Sequence, residues 1–274
     1  MSATNDATGG DGGYASVNGL NLYYEVHGTG DPLVIIPGGT MTIAMMGPLV
    51  SALTRSRQVI ALELQAHGHT ADVERPLTYE HLADDTAALI AYLGLDRADV
   101  LGFSVGAGVA LQTAIRHPAA VRKLVFVSGT FRGDGEFPEI RAFEANFTPD
   151  MPALTEIRDA NVAASHDPDR WASLVTKMRQ LLAEEYDWSA AVAAIAAPTL
   201  VVVGDADTLP VAHAVELFRL LGGETAAAAW GQLSKAQLAV LPATTHFGIV
   251  GHADLPSIVT RFLDAPMPTD AATI

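Results

Sequence analysis

At 274 residues, 49% of them apolar and only 17% charged, the chain is long enough for one large α/β domain with an inserted subdomain and too apolar to be disordered. Its 16 Lys and Arg against 31 Asp and Glu give a net charge of −15, which argues against nucleic acid, whose backbone calls for basic patches, and against anionic membranes. With no cysteine, disulfides, thiolate catalysis and cysteine metal sites are excluded.

Residues 1–13 are small, polar and glycine-rich, without the basic start and apolar centre of a signal peptide, and read as a disordered tail. No stretch has the apolar length needed to span a bilayer, so the expected compartment is the cytoplasm. Residues 14–17 and 20–26 flank Asn18-Gly19, a hairpin signal. A buried strand at 33–36, a helix at 44–54 and a strand at 59–62 follow. Residues 79–93 form an amphipathic helix with Leu82, Leu89, Ile90 and Leu93 on one face, and Asp84 and Asp85 as solvated charges on the other. Next come a strand at 98–101, a helix at 107–117 stopped before Pro118, and a strand at 121–127. Between Ser128 and Thr199 there is no strand pattern; the composition predicts helices at 139–145, 153–165, 170–184 and 189–196, separated by Pro149, Pro152, Pro168 and Asp187. The β-branched run at 198–203, a helix at 212–221, a strand at 237–241 and a helix at 255–263 complete the chain. This alternation predicts an α/β fold: a doubly wound, mostly parallel sheet that opens with an antiparallel hairpin.

The chemistry gathers at strand ends. Gly102-Phe103-Ser104-Val105-Gly106 is a G-x-S-x-G between a buried strand and a small-residue helix, the setting of a nucleophile elbow. A serine on so tight a turn needs strained backbone angles, and glycines two residues to either side remove the side chains that would clash. A serine hydroxyl also needs a base, and the base an orienting group. The strand at 198–203 runs into Gly204-Asp205-Ala206-Asp207, with two carboxylates. The strand at 237–241 runs into a loop containing His246. Both turns fall at carboxyl ends of strands, where open α/β sheets place their ligands. The pattern alone does not separate Asp205 from Asp207; an Asp here also serves as a turn former.

Five stretches together, 33–39, 59–70, 102–106, 198–207 and 241–248, resemble the α/β-hydrolase superfamily, in its branch of capped bacterial esterases, lactonases and cofactor-free haloperoxidases. The resemblance covers about residues 14–130 and 197–264. It implies the α/β-hydrolase fold, with a core at 14–131 and 197–274 and a helical cap at 132–196. It also implies a Ser104–Asp207–His246 triad, with the second acid of the Gly-Asp-x-Asp turn preferred. The oxyanion donors would be the N–H groups of Val105 and Gly39, with Thr40 the neighbouring candidate. Pro37 stands where the family usually has His, and Glu63, Gln65 and Ala66 where Asp, Arg and Gly are common. Thr40, Met41, Phe103, Phe143, Trp171, Trp188 and Phe247 are candidates to line the pocket. So are Phe147, Met151 and Met178, although each cap side chain equally suits the cap's own core. His67-Gly68-His69 reads as a structural turn, since no carboxylate cluster accompanies it to make a metal site. There is no G-x-G-x-x-G fingerprint and no phosphate loop. The expectation is a serine hydrolase of a small, mostly apolar carboxylic ester or lactone, with no cofactor, no metal, no nucleic acid and no membrane. The alternatives are perhydrolysis on the same triad, of the haloperoxidase type, and a ligand receptor that keeps the triad but turns over little.

Overall fold

The computed structural model describes residues 11–167, 169–226, 230–231 and 234–267. Eight strands among them form one sheet: β1 (Asp11–Val17), β2 (Leu20–His27), β3 (Asp31–Ile36), β4 (Arg57–Leu62), β5 (Ala98–Phe103), β6 (Val121–Val127), β7 (Thr199–Ala206) and β8 (Ala236–Thr245). Their order is β1-β2-β4-β3-β5-β6-β7-β8. β1 and β2 form the antiparallel hairpin, β2 runs antiparallel to β4, and every later pairing is parallel. The helices are α1 (Gly47–Leu53), α2 (Tyr79–Tyr92), α3 (Val105–Arg116), α4 (Pro138–Glu144), α5 (Thr155–Ser165), α6 (Asp169–Leu182), α7 (Ser189–Ala193), α8 (Val211–Leu220) and α9 (Leu255–Asp264).

The central strands are buried on both faces, which is why they read as unbroken apolar runs. Alternation along them divides the core in two. Val34, Ile36, Ile60 and Val100 face α2, α3 and α8, while Leu33, Ile35, Val59 and Leu101 face α1 and α9. A basic group lies inside this core beside the sheet. Lys123 on β6 is 1% exposed, and its ammonium donates to the carbonyls of Phe262 (3.0 Å), Leu263 (3.0 Å) and Ala265 (2.5 Å). It thereby satisfies the carbonyls that the end of α9 leaves without partners.

Three expectations need correction. Of the tail, residues 1–10 lie outside the described part, but Asp11–Gly13 belong to β1 and pair with Val26, Glu25 and Tyr24. The rings of Tyr23 and Tyr24 lie over Gly12 and Gly13, so a glycine-rich stretch that composition assigns to coil finds partners on its neighbour strand. The helix at 44–54 is a short 3-10 turn over Ile43–Met46 followed by α1, because Pro48 in the first turn of α1 cannot donate back into a continuous helix. Asp85 is not a solvated charge. It is 1% exposed, pairs with Arg75 and accepts from Asn18 Nδ2 at 3.0 Å, because the hairpin covers that face of α2. Asp84 is half-buried and holds Arg116 and His117. Between β6 and β7 the chain is helical, α4 to α7; Pro168, a predicted separator there, lies outside the described residues. Among the described residues, no helix is long and apolar enough to cross a membrane.

Candidate active site

Ser104 occupies the turn between β5 and α3 with φ 55° and ψ −122°, a region that L-residues rarely enter. The turn closes because its flanking glycines carry no side chain. A Cβ on Gly102 would stand 2.0 Å from the Gly106 carbonyl oxygen, and one on Gly106 would stand 2.3 Å from the carbonyl oxygens of Ile36 and Pro37. The backbone fixes the turn further, with Ser104 N–H donating to Val127 O (2.9 Å) and Ser104 O accepting from Ala107 N–H (2.8 Å).

β7 and β8 bring the other two groups to the same end of the sheet. Ser104 Oγ lies 3.0 Å from His246 Nε2, and His246 Nδ1 lies 2.6 Å from Asp207 Oδ1. The network assigns the tautomer: Nδ1–H donates to the carboxylate, and Nε2 is left to accept the serine proton. Asp207 is fully buried at its side chain and surrounded by donors. Its Oδ2 accepts from Ser128 Oγ (2.5 Å) and Gly204 N–H (3.1 Å), and its Oδ1 also accepts from Thr208 N–H (2.8 Å). Burial, the largest influence, raises its pKa; the hydrogen bond and charge of His246, with the Ser128 and Thr208 donors, outweigh burial and hold the carboxyl below the usual range. Asp205 is exposed and turned the other way, accepting from Thr244 N–H at 3.1 Å. Asp134 is exposed and paired with Arg132. The structure thus brings Asp207, and neither of the other acids, to the imidazole.

Among the described residues, neither Gly39 N–H nor Val105 N–H has a hydrogen-bond acceptor. Thr40 N–H is engaged, donating to His67 Nε2 at 2.9 Å, which removes it as an oxyanion donor. His67 is fully buried, and burial pushes its pKa down. It is therefore neutral, with Nδ1–H on Gln65 O at 2.8 Å. The loop is gripped from above as well: Asn161 on α5, 4% exposed, donates to Thr40 O (2.6 Å) and accepts from Gly68 N–H (3.0 Å). Gly39 has no room for a side chain, since a Cβ would meet Met178 Cε at 2.7 Å and Val105 Cγ2 at 2.9 Å. His67 and His69 face different partners, the latter bound to buried Glu63 (3.0 Å). Among the described residues, no group of three or more His, Asp or Glu is placed to hold a metal ion.

A cavity of about 780 Å³, open to solvent, adjoins Ser104 and His246. Thr40, Met41, Phe103, Phe143 and Phe247 line it, as do Phe147 and Met178. Trp171 and Trp188 do not. Trp171 is buried within the helical segment, its Nε1–H on Pro149 O at 2.7 Å. Trp188 stacks on Tyr186 (4.2 Å between ring centres) and meets Tyr79 edge-on. Both are packing residues, which their aromatic character alone does not distinguish from pocket residues. Sequence reasoning missed Ser128, Asn161, Ile140, Glu144, Leu154, Ile157, Leu182 and Thr208. The carboxyl-end position of Ser128 on β6 is a usable signal; for the others the local sequence carries none.

The profile of the alpha/beta hydrolase fold matches residues 31–235, and the chain belongs to that family. Over 122 residues it is 30% identical to a protein of Azorhizobium caulinodans named as the carbamate hydrolase RutD, a match covering 44% of this chain and 46% of that one. Over 180 residues it is 28% identical to the N-formylmaleamate deformylase of Pseudomonas putida, covering 65% and 64%. The chain thus spans less than two thirds of the length of either relative. The enol-lactonase of Burkholderia xenovorans superposes with a TM-score of 0.72 over 92% of this chain and 100% of that one, at 22% identity, a likeness of fold.

Proposed function

We propose that this chain is a serine hydrolase cleaving a small, mostly apolar carboxylic ester or lactone through an acyl-enzyme. The observation that carries the reading is the unbroken relay Ser104–His246–Asp207 at the wall of an apolar cavity. Ser104 Oγ attacks the carbonyl carbon while its proton passes to His246 Nε2. The oxygen's growing charge is received by Gly39 N–H and Val105 N–H. Collapse of the tetrahedral intermediate breaks the bond to the leaving alcohol, which takes the proton from Nε2. A water then gives a proton to Nε2 and attacks the acyl carbon; the acid leaves and Ser104 regains its proton. Asp207 stays ionised throughout, holding the imidazole and stabilising the imidazolium. Helices α4 to α7, within residues 132–196, act as the cap that excludes water. The reaction needs no cofactor or metal, and the partner is a small molecule. The substrates for which the similar proteins are named, a carbamate, an enol-lactone and an N-formyl amide, all carry an acyl bond and support the same chemistry.

The test is pre-steady-state hydrolysis of p-nitrophenyl butyrate and hexanoate. A burst of p-nitrophenol stoichiometric with enzyme, followed by slower turnover, is expected of an acyl-enzyme. Binding of the ester with neither burst nor turnover would replace this reading by the receptor alternative.

Asn161 is a positioning residue in this scheme. Asn161→Ala frees the Thr40 carbonyl and the Gly68 N–H and loosens the loop that carries the Gly39 amide. The expected result is a fall in kcat of about 10²-fold with KM changed less than about threefold, since an oxyanion donor acts on the transition state. A stability loss of about 2 kcal/mol from the buried unpaired groups accompanies it. A loss of stability with kcat intact would leave Asn161 a purely structural brace.

A further inference from the structure

Ser104 stands where two chambers of opposite character meet. The first is the apolar cavity. The second, much narrower, shares Ser104, Val105, Glu144 and Leu182 with it and is otherwise walled by polar groups, chiefly Tyr79, Thr130, Glu136 and Tyr186. The hydroxyls are already engaged with one another: Thr130 Oγ1 and Tyr186 OH are 2.7 Å apart, and Tyr79 bonds Tyr186. The groups left to meet an occupant are the carboxyls of Glu136 and Glu144, which hydrogen-bond each other. A group bound at Ser104 Oγ therefore borders both chambers.

The charges around the pair are few. Arg141, one turn before Glu144 on α4, gives its guanidinium to Glu185 at 2.5 Å. His246 is reached only through Thr208, whose hydroxyl lies 3.2 Å from Nδ1 and 3.5 Å from Glu136 Oε1. Asp207, ionised, lies behind the same threonine. Tyr79 and Tyr186 are held above their ordinary values, chiefly by burial, and are neutral. Burial pushes Glu136 up and pushes Glu144 up to about 8, the charge of Glu136 adding to the latter. At neutral pH Glu144 therefore keeps its proton, and it loses it only as the pH rises past about 8. A carboxylate entering this chamber meets two acidic side chains with no free cation on the walls named here, whereas an ammonium or a cluster of N–H donors meets carboxyl acceptors.

We propose that Glu136 and Glu144 form a specificity subsite for a cationic or N–H-donating group of the substrate, with its hydrocarbon part in the apolar chamber. The substrate class is an amphiphilic ester or lactone bearing an amine, amidine or primary amide a few atoms from its carbonyl. Substrates carrying a carboxylate at that place are rejected. This deepens the serine-hydrolase reading and rests on it for the role of Ser104.

The experiment titrates n-hexylammonium, 1-hexanol and hexanoate into the full chain by calorimetry. At pH 7 hexylammonium is expected to bind at least about tenfold more tightly than hexanoate. A carboxyl with a raised pKa keeps its proton below that pKa and loses it above. Raising the pH from 7 to 9 therefore takes the proton from Glu144, adds one negative charge to the pair and tightens hexylammonium, still protonated, by about threefold or more, while hexanol is unchanged. The double variant Glu136→Gln, Glu144→Gln is expected to bring the two ions within about threefold and to abolish the pH effect. Equal or tighter hexanoate, a pH-independent ammonium affinity in the wild type, a preference that survives in the double variant, or no ammonium binding at millimolar concentration would each overturn the subsite. Hydrolysis of neutral p-nitrophenyl hexanoate by the same preparation separates the two claims. Turnover without ammonium preference sinks the subsite alone, and ammonium preference without turnover sinks the hydrolase reading alone.

Discussion

Ser104→Ala is expected to lower kcat for ester hydrolysis by a factor on the order of 10⁶, as loss of a triad nucleophile does, while the fold survives. The size follows from the covalent step, because without Oγ no acyl-enzyme forms and neither His246 nor the two free amides has an attacking atom to assist. The survival follows from the contacts. Ser104 Oγ bonds only His246, and the bonds that shape the turn, to Val127 and Ala107, are made by backbone. Alanine keeps a Cβ, so it inherits the same strained φ of 55° and neither relieves nor worsens it. Steady-state rates and the burst, measured on protein with unchanged circular dichroism and melting, provide the check. A few per cent of residual activity, beyond wild-type contamination, would mean that another group attacks the carbonyl.

The relay was legible in the sequence for a physical reason. A strand-turn-helix elbow, and loops that directly follow β-branched strands, are local features, and parallel topology then places all such strand ends on one edge. Composition carried the sheet equally well, since strands buried on both faces must be apolar throughout. The rest depended on which surfaces meet. Asp85 reads as solvated until the Asn18 turn lies on it. Asp11–Gly13 read as coil until β2 pairs with them. Trp171 and Trp188 look like pocket aromatics, yet Trp171 is buried among the helices and Trp188 stacks on Tyr186, while Glu144 faces the pocket from an otherwise unremarkable helix. Asn161 grips a loop 121 residues earlier in the chain, and nothing in its neighbourhood announces that. The choice between Asp205 and Asp207 belongs here too, because it is made by a bulge where β7 leaves β8, between Gly204 and Ala206.

Asp207→Asn is expected to cost on the order of 10⁴ in kcat, and Asp205→Asn much less. The reason is the donor arrangement around Asp207. His246 Nδ1–H, Ser128 Oγ–H, Gly204 N–H and Thr208 N–H all converge on its two oxygens. An asparagine has one acceptor oxygen, and its NH₂ would face donors whichever way the amide is turned. If the oxygen stays with Ser128 and Gly204, the NH₂ meets His246, and the imidazole responds by moving its proton to Nε2, the atom that must accept from Ser104. If the oxygen stays with His246, the NH₂ opposes Ser128 and the Gly204 amide, and the imidazolium of the transition state still loses its neighbouring negative charge. Asp205 holds only the β8 turn through Thr244 N–H, so its amide keeps an acceptor there and disturbs no proton in the relay. Both variants, assayed on one ester and matched for folding by circular dichroism, decide the matter. An inactive Asp205→Asn beside an active Asp207→Asn would reverse the assignment. Two active variants would mean that the carboxylate beside His246 orients the ring without contributing charge, and that the imidazole finds its tautomer through the Thr208 hydroxyl, 3.2 Å from Nδ1.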